Sequence, residues 1–147
     1  MALKPERQLT DTIIRYSLLE SSGNAGAAVV ISSASKVKLA PSGTVGADVL
    51  GILLQDVRPS DYTNRPERLV DSTCVSGEVV GIMTRGIVIT DQVTGTVCAG
   101  SGISVSTAGA GAMINRTVES GTLVFGTVLA ASGDLGMSGY TQIKVEC

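Results

Sequence analysis

Short apolar runs set the rhythm of the chain. From residue 25 onward, stretches of Val, Ile, Leu and Ala alternate with Gly, Ser, Thr and Asp punctuation. Runs at Ala27–Ser32, Lys36–Ala40, Val49–Gln55, Glu78–Thr84, Gly86–Thr90, Ile103–Ser106, Gly111–Ile114, Leu123–Ala130 and Tyr140–Glu146 predict strands. The last run sets Thr141, Ile143 and Val145 against Tyr140, Gln142, Lys144 and Glu146, the period-two pattern of a half-buried strand. No window after residue 22 carries a helical period. Evenly spaced short strands with turn residues between them predict an all-β fold. The expected form is a Gly-rich antiparallel β-barrel or sandwich rather than a βαβ unit.

Two stretches depart from this rhythm. In residues 1–22, Lys4, Glu6, Arg7, Asp11, Arg15 and Glu20 are mixed with scattered Leu and Ile. Ile14, Tyr16 and Leu18 alternate as in a strand, while Leu9, Ile13 and Tyr16 fit a helical face, so the two templates tie. Ser21-Ser22-Gly23-Asn24 then breaks the chain. The stretch reads as an extended N-terminal arm, with residues 23–147 as a single β domain. Such an arm has little apolar surface with which to fold alone. It is expected to be mobile in the free protein, to bury one face against a neighbour, and to be removable at residues 1–20 without unfolding the domain. The second departure is a long polar loop, 56–72, where Pro59 and Pro66 forbid a regular central strand.

A faint internal echo is also present. Gly46-x-x-Val49-Leu50-Gly51-Ile52-Leu53-Leu54 resembles Gly121-x-x-Val124-Phe125-Gly126-Thr127-Val128-Leu129, 75 residues later. Each copy follows a pair of predicted strands, near Val29–Leu39 and Ile103–Ile114. Both place a glycine inside an apolar strand, where it permits a bulge or a close backbone approach. Duplication and chance recurrence both account for it at this level.

Composition narrows the function. The 147 residues fit one domain and are long enough for a real core. They are 44% hydrophobic and only 16% charged, with mean hydropathy +0.34, which argues against global disorder. There is no His and no Trp, with one Phe and three Tyr. Without His, Ser-His-Asp and Cys-His nucleophilic sites and His-ligated metals are excluded. The few aromatics make a poor base-stacking platform, and a net charge of −2 gives no global attraction for nucleic acid. No apolar run is long enough to span a membrane as a helix, and MALKPERQLTDT has no apolar core of a secretory signal. Cys74, Cys98 and Cys147 form no CxxC pair and read as free thiols.

Motifs that would carry chemistry are weak. Ser33-Ala34-Ser35-Lys36 fits SxxK but lies between predicted strands, where a turn with a solvated Lys is the natural reading. The Gly-rich segments fit neither GxGxxG nor a P-loop. Asp56, Asp61 and Asp71 lack the spacing of a calcium loop. They remain the only foothold for a carboxylate-dependent hydrolase. No catalytic residue, cofactor or metal site is expected, and the chain reads as a structural module rather than an enzyme.

The order of local signatures adds a family likeness. Along the chain come Arg7-Gln8-Leu9-x-x-Thr12-x-Ile14-x-Tyr16, Gly51-Ile52-Leu53-Leu54-x-Asp56-Val57 and Asp61-x-Thr63-x-Arg65. Gly77-x-Val79, Arg85-Gly86-x-Val88-x-Thr90 and Val93-x-Gly95-Thr96-x-x-Ala99-Gly100 follow. Gly126-x-x-Leu129, Asp134 and Gly139-Tyr140-x-x-x-Lys144-Val145 complete the set. This series resembles the small capsid decoration (cement) proteins of tailed bacteriophages, over nearly the whole chain. The resemblance implies a structural virion protein, made in the host cytoplasm and placed on the outer capsid surface. It would bind the major capsid protein, stabilise contacts between coat subunits and self-associate, with a trimer favoured. It implies no direct nucleic-acid or membrane partner. In the arm, Arg7, Gln8, Thr12, Ile14, Tyr16 and Leu18 are the expected capsid contacts. A tail, baseplate or fibre-base domain is the alternative within virions.

Overall fold

The computed structural model describes residues 3–20, 22–58, 73–106, 111–116, 124–134, 136 and 138–147. Among them there is no α-helix, and a single 3-10 turn spans Gly46–Asp48. Twelve strands are formed: β1 (Leu3–Leu18), β2 (Ala28–Ser33), β3 (Lys36–Leu39), β4 (Val49–Leu53), β5 (Asp56–Arg58), β6 (Thr73–Val75), β7 (Val79–Thr90), β8 (Val93–Thr94), β9 (Gly102–Val105), β10 (Met113–Arg116), β11 (Gly126–Ala130) and β12 (Thr141–Glu146).

The expected all-β barrel is present. Five strands close a ring in the order β1-β3-β2-β4-β7, because β1 pairs with β7 as well as with β3. One rung departs from the antiparallel expectation: β1 runs parallel to β3, with Ser17 opposite Lys36 and Leu18 opposite Val37. Side chains that alternate along the staves fill the lumen, namely Leu18, Val29, Val37, Leu53, Val80 and Ile82, with Ile14, Tyr16 and Leu39 packed against them. Each fully buried aliphatic side chain contributes about 1.5–3 kcal/mol. The small parallel pair β5–β6 adds Val57 and Cys74 to the same core.

Two boundaries differ from the sequence expectation. Glu78–Thr84 and Gly86–Thr90 are one strand, β7, which runs through Arg85 and Gly86. Gly86 has φ +152°, a region that glycine enters readily, and the strand continues through it. The arm is extended, but in this structure it is not separate. β1 lies antiparallel along β7, first as Leu3 to Arg7 opposite Thr90 to Ile87, then as Thr12 to Ser17 opposite Arg85 to Val79. Its few apolar residues are enough because β7 and β3 supply the rest of the surface.

The strands beyond the barrel repeat it. The full order is β1-β3-β2-β4-β7-β12-β11-β9-β10-β8, and it reads the same from either end once equivalent strands are matched. Hairpin β2–β3 is followed by β4 on the β2 side and then β7. Hairpin β9–β10 is followed by β11 on the β9 side and then β12. The registers agree residue by residue. Val29 faces Gly51 and Leu39, as Ile103 faces Gly126 and Asn115. Ile82 faces Leu53 and Ile14, as Ile143 faces Val128 and Val88. Leu18 pairs in parallel with Val37, as Val93 pairs in parallel with Met113. The second half of β7 together with β8 therefore takes the part of β1.

Finer marks agree as well. Gly26 N donates to Leu53 O at 2.7 Å, and Gly100 N to Val128 O at 2.8 Å. The φ angles of Gly26 and Gly100 are +89° and +87°. The second lumen holds Val88, Ile103, Met113, Val128 and Ile143, each the mate of a first-lumen residue. That core continues onto the outer wall of the first barrel through Ala28, Val30, Ile52 and Met83. The faint sequence echo is thus matched by a structural repeat, with β7 shared between its two units.

The paired glycines explain themselves. A Cβ on Gly51 would collide with Met83 O, and one on Gly126 would lie 2.6 Å from Lys144 O, with Met83 and Lys144 in equivalent places. Backbone cannot retreat as a flexible side chain can. Gly51→Ala and Gly126→Ala are each expected to cost about 1–3 kcal/mol, read as a lower urea midpoint at unchanged slope. Removing residues 1–20 takes out a stave of the closed ring. Contrary to the arm expectation, the truncated chain should lose the cooperative unfolding transition that circular dichroism detects in the full chain.

Candidate functional site

The six residues expected to meet a capsid all lie on β1, and the structure separates them. Leu18 is buried, and Ile14 and Tyr16 are half-buried, all three turned into the first barrel. Their alternation reflects burial in the chain's own core, so they meet no partner while β1 stays in the ring. Arg7, Gln8 and Thr12 belong to β1 by their backbone, with Arg7 opposite Ile87 and Thr12 opposite Arg85. Among the described side chains of β1, the ones presented outward are those between, Ile13 and Arg15. Ile13 is 47% exposed and Arg15 is exposed. The strand pattern carried this information, since inward even positions imply outward odd ones. The tie with a helical template hid it.

The backbone of β1 has one free flank. Ser17 N donates to Ser35 O at 3.0 Å and Leu19 N to Val37 O at 2.7 Å, both toward β3. Strand alternation aims the N–H and C=O of Ile13 and Arg15 at that same flank, since no register shift lies between Ile13 and Ser17. β3 reaches only Ser17 and Leu18. Among the described residues no strand pairs with Ile13 or Arg15 on that side.

The polar loop begins later than expected, because Asp56–Arg58 is β5. Residues 59–72, with Asp61 and Asp71, lie outside the described residues. Asp56 is occupied structurally. Its Oδ1 accepts from Ala25 N at 2.8 Å, and its Oδ2 lies 3.6 Å from the Arg58 guanidinium, which also donates to Asn24 Oδ1 at 3.2 Å. These contacts tie β5 to the turn at Asn24, next to the bridge between Gly23 and Val57. Ser33 and Lys36 face each other across the β2–β3 hairpin, both exposed, with Ser35 at φ +61° in the turn. That is the turn with a solvated Lys expected from the sequence. Among the described residues no three His, Cys, Asp or Glu side chains gather closely enough to hold a metal ion.

The three thiols are free. Cys74 is buried, and burial, reinforced by the Glu78 carboxylate, raises its pKa. Cys147 is exposed as a residue, yet desolvation of its thiol pushes its pKa up to about 11. Cys98 is exposed.

No known family model matches the chain, and no curated protein matches it.

Alkylation should follow the thiol environments, because only the thiolate reacts. Under native conditions near pH 8, Cys98 should be modified first. Cys147 should accelerate as pH rises toward 11, and Cys74 should react only on unfolding. Mass spectrometry of digested protein reads this order directly. Leu18→Ala should destabilise the fold by about 2–5 kcal/mol in urea denaturation, whereas Ile13→Ala on the outward face should stay within about 0.5 kcal/mol.

Proposed function

We propose that this protein is a structural component of a phage virion that binds the outside of the capsid and stabilises contacts between coat subunits. One observation carries the reading: among the ordered signatures that resemble those of capsid decoration proteins, five fall on staves of the two units, while the rest lie mainly in turns or outside the described residues. Arg7 to Tyr16 lies on β1, Gly51 to Leu53 on β4, and Val79 to Thr90 on β7. Gly126 to Leu129 lies on β11, and Lys144-Val145 on β12. A resemblance confined to turns would reflect only glycine usage, and the part that lies on strands is what supports the reading.

The physical demands of such a role fit the molecule. A cement protein must resist deformation, and closed barrels leave few sheet edges to open. It needs many modest contacts repeated over a shell rather than one large interface, because avidity multiplies weak sites. The major capsid protein is the partner, and the family likeness favours a trimer.

Quantitative mass spectrometry and cryo-microscopy of purified particles test this. Hundreds of copies per particle, located on the outer head surface, are expected. Six or twelve copies would instead place the protein in the tail or baseplate, and absence from particles would end the virion reading. Light scattering of the isolated protein should give about three times the chain mass.

A further inference from the structure

The two units are not equally covered. In the second, the strand that plays the part of β1 is the latter half of β7. There Ile87 and Ile89 face Arg7 and Lys4 of β1, which lie beside the ring as an added antiparallel strand. The equivalents of Ile87 and Ile89 in the first unit are Ile13 and Arg15. Ile13 faces Met83 as Ile87 faces Lys144, and Arg15 faces Gly81 as Ile89 faces Gln142. These are the two residues whose backbone groups point to a flank that no described strand covers. The repeat thus shows what belongs there: a short extended segment running antiparallel to β1.

We infer that the Ile13–Tyr16 edge is a strand-acceptor site for an extended segment of a partner protein. That segment sets a carboxylate beside Arg15 and an apolar side chain beside Ile13. Main-chain hydrogen bonds to Ile13 and Arg15 supply affinity, and the two outward side chains supply selectivity. The carboxylate follows from charge, since Arg15 is exposed and has no ion-pair partner among the described residues. A second copy of this chain fits less well. Its residues 3–7 are held on its own β7, and moving them would trade one ladder for another without gain. The site rests on the capsid reading only for the source of the strand, a segment of the coat subunit.

The strand that fits the equivalent edge provides the probe. In the second unit Lys4 lies opposite Ile89, the mate of Arg15. A synthetic peptide of residues 2–8 carrying Lys4→Glu therefore places its new carboxylate at Arg15. Titrated into the full chain, it should shift the Ile13 and Arg15 amide resonances and slow their hydrogen exchange at least tenfold at saturation. Arg15→Pro removes an N–H that faces the flank and leaves the β7 ladder intact, so the variant should fold and bind the peptide at least tenfold more weakly. Should Arg15→Pro fail to fold, Arg15→Glu gives the second arm. It should weaken the Lys4→Glu peptide about two- to fivefold and favour the unmodified peptide by a similar factor. No change at Ile13 and Arg15, or a peptide response confined to Ile87 and Ile89, overturns the inference and leaves Arg15 as a guard on the edge. The same peptide measured on the full chain separates the two readings. Amide protection without any capsid binding would sink the virion assignment and keep the acceptor edge, while capsid binding that Arg15→Pro leaves unchanged would do the reverse.

Discussion

Closure of β1 onto β7 is the constraint on which the rest of the molecule depends. β7 has β1 along one flank for its whole length. Along the other flank it has first β4 and then β12. A strand paired on both flanks over most of its length can serve two units, ending one and beginning the next. Without β1, the first ring opens between β3 and β7, and Val29, Val37, Leu53, Val80 and Ile82 lose the Ile14, Tyr16 and Leu18 side of their lumen. The second core would suffer too, because Ile52 and Met83 connect it to the wall of the first barrel. The N-terminal strand is thus as deeply built into the structure as any central one.

The structural repeat accounts for how one chain of 147 residues makes a closed barrel and a second unit of like order with so little connecting structure. Each unit repeats a single plan: a first strand, a hairpin, a glycine-bearing strand and a last strand. The last strand of the first unit continues as the first strand of the second, so one element is shared between them. The glycine at 51 and 126 is a geometric requirement of the plan, since in both units the neighbouring carbonyl sits where a Cβ would be. Side chains diverge within this frame. Tyr16 in the first lumen corresponds to the buried Thr90 in the second, and Leu18 corresponds to the half-buried Val93. The second core compensates by drawing on Phe125, Val105 and the outer wall of the first barrel.

Much of this was legible in the sequence because strands announce themselves by period. Thr141–Glu146 and the two hairpins lie close to where apolar runs and turn residues put them, whereas Glu78–Thr84 and Gly86–Thr90 merge into the single strand Val79–Thr90. Other features were hidden for particular reasons. β1 carries Ile13 beside Ile14, and its charged residues fit an arm as well as a strand. Its burial comes from partners distant in sequence, which local pattern cannot supply. β5, β6 and β8 are too short for a period to register. The strand alternation of Ile14, Tyr16 and Leu18 is the one the fold uses, but the side chains that cover this face belong to the barrel of the same chain. The outward pair, Ile13 and Arg15, gains meaning only when the second unit displays the strand that lies on its counterpart.

A flank that no described strand covers, on an otherwise closed barrel, calls for a physical account, because open edges invite indiscriminate pairing. Arg15 gives one. Two copies approaching edge to edge would bring their Arg15 side chains close together on one face, and like charges near each other in a ladder are unfavourable. The cation thus opposes self-pairing at the flank where the backbone most invites it. It does not oppose an acidic strand, for which the same charge is attractive. Ile13 favours an apolar neighbour in the same way without selecting a charge. The second unit has Ile89 where the first has Arg15, and there the chain covers the flank with its own residues. A charge at the edge that no described strand covers and an isoleucine at the covered one is the distribution that the proposed acceptor role of the first would require.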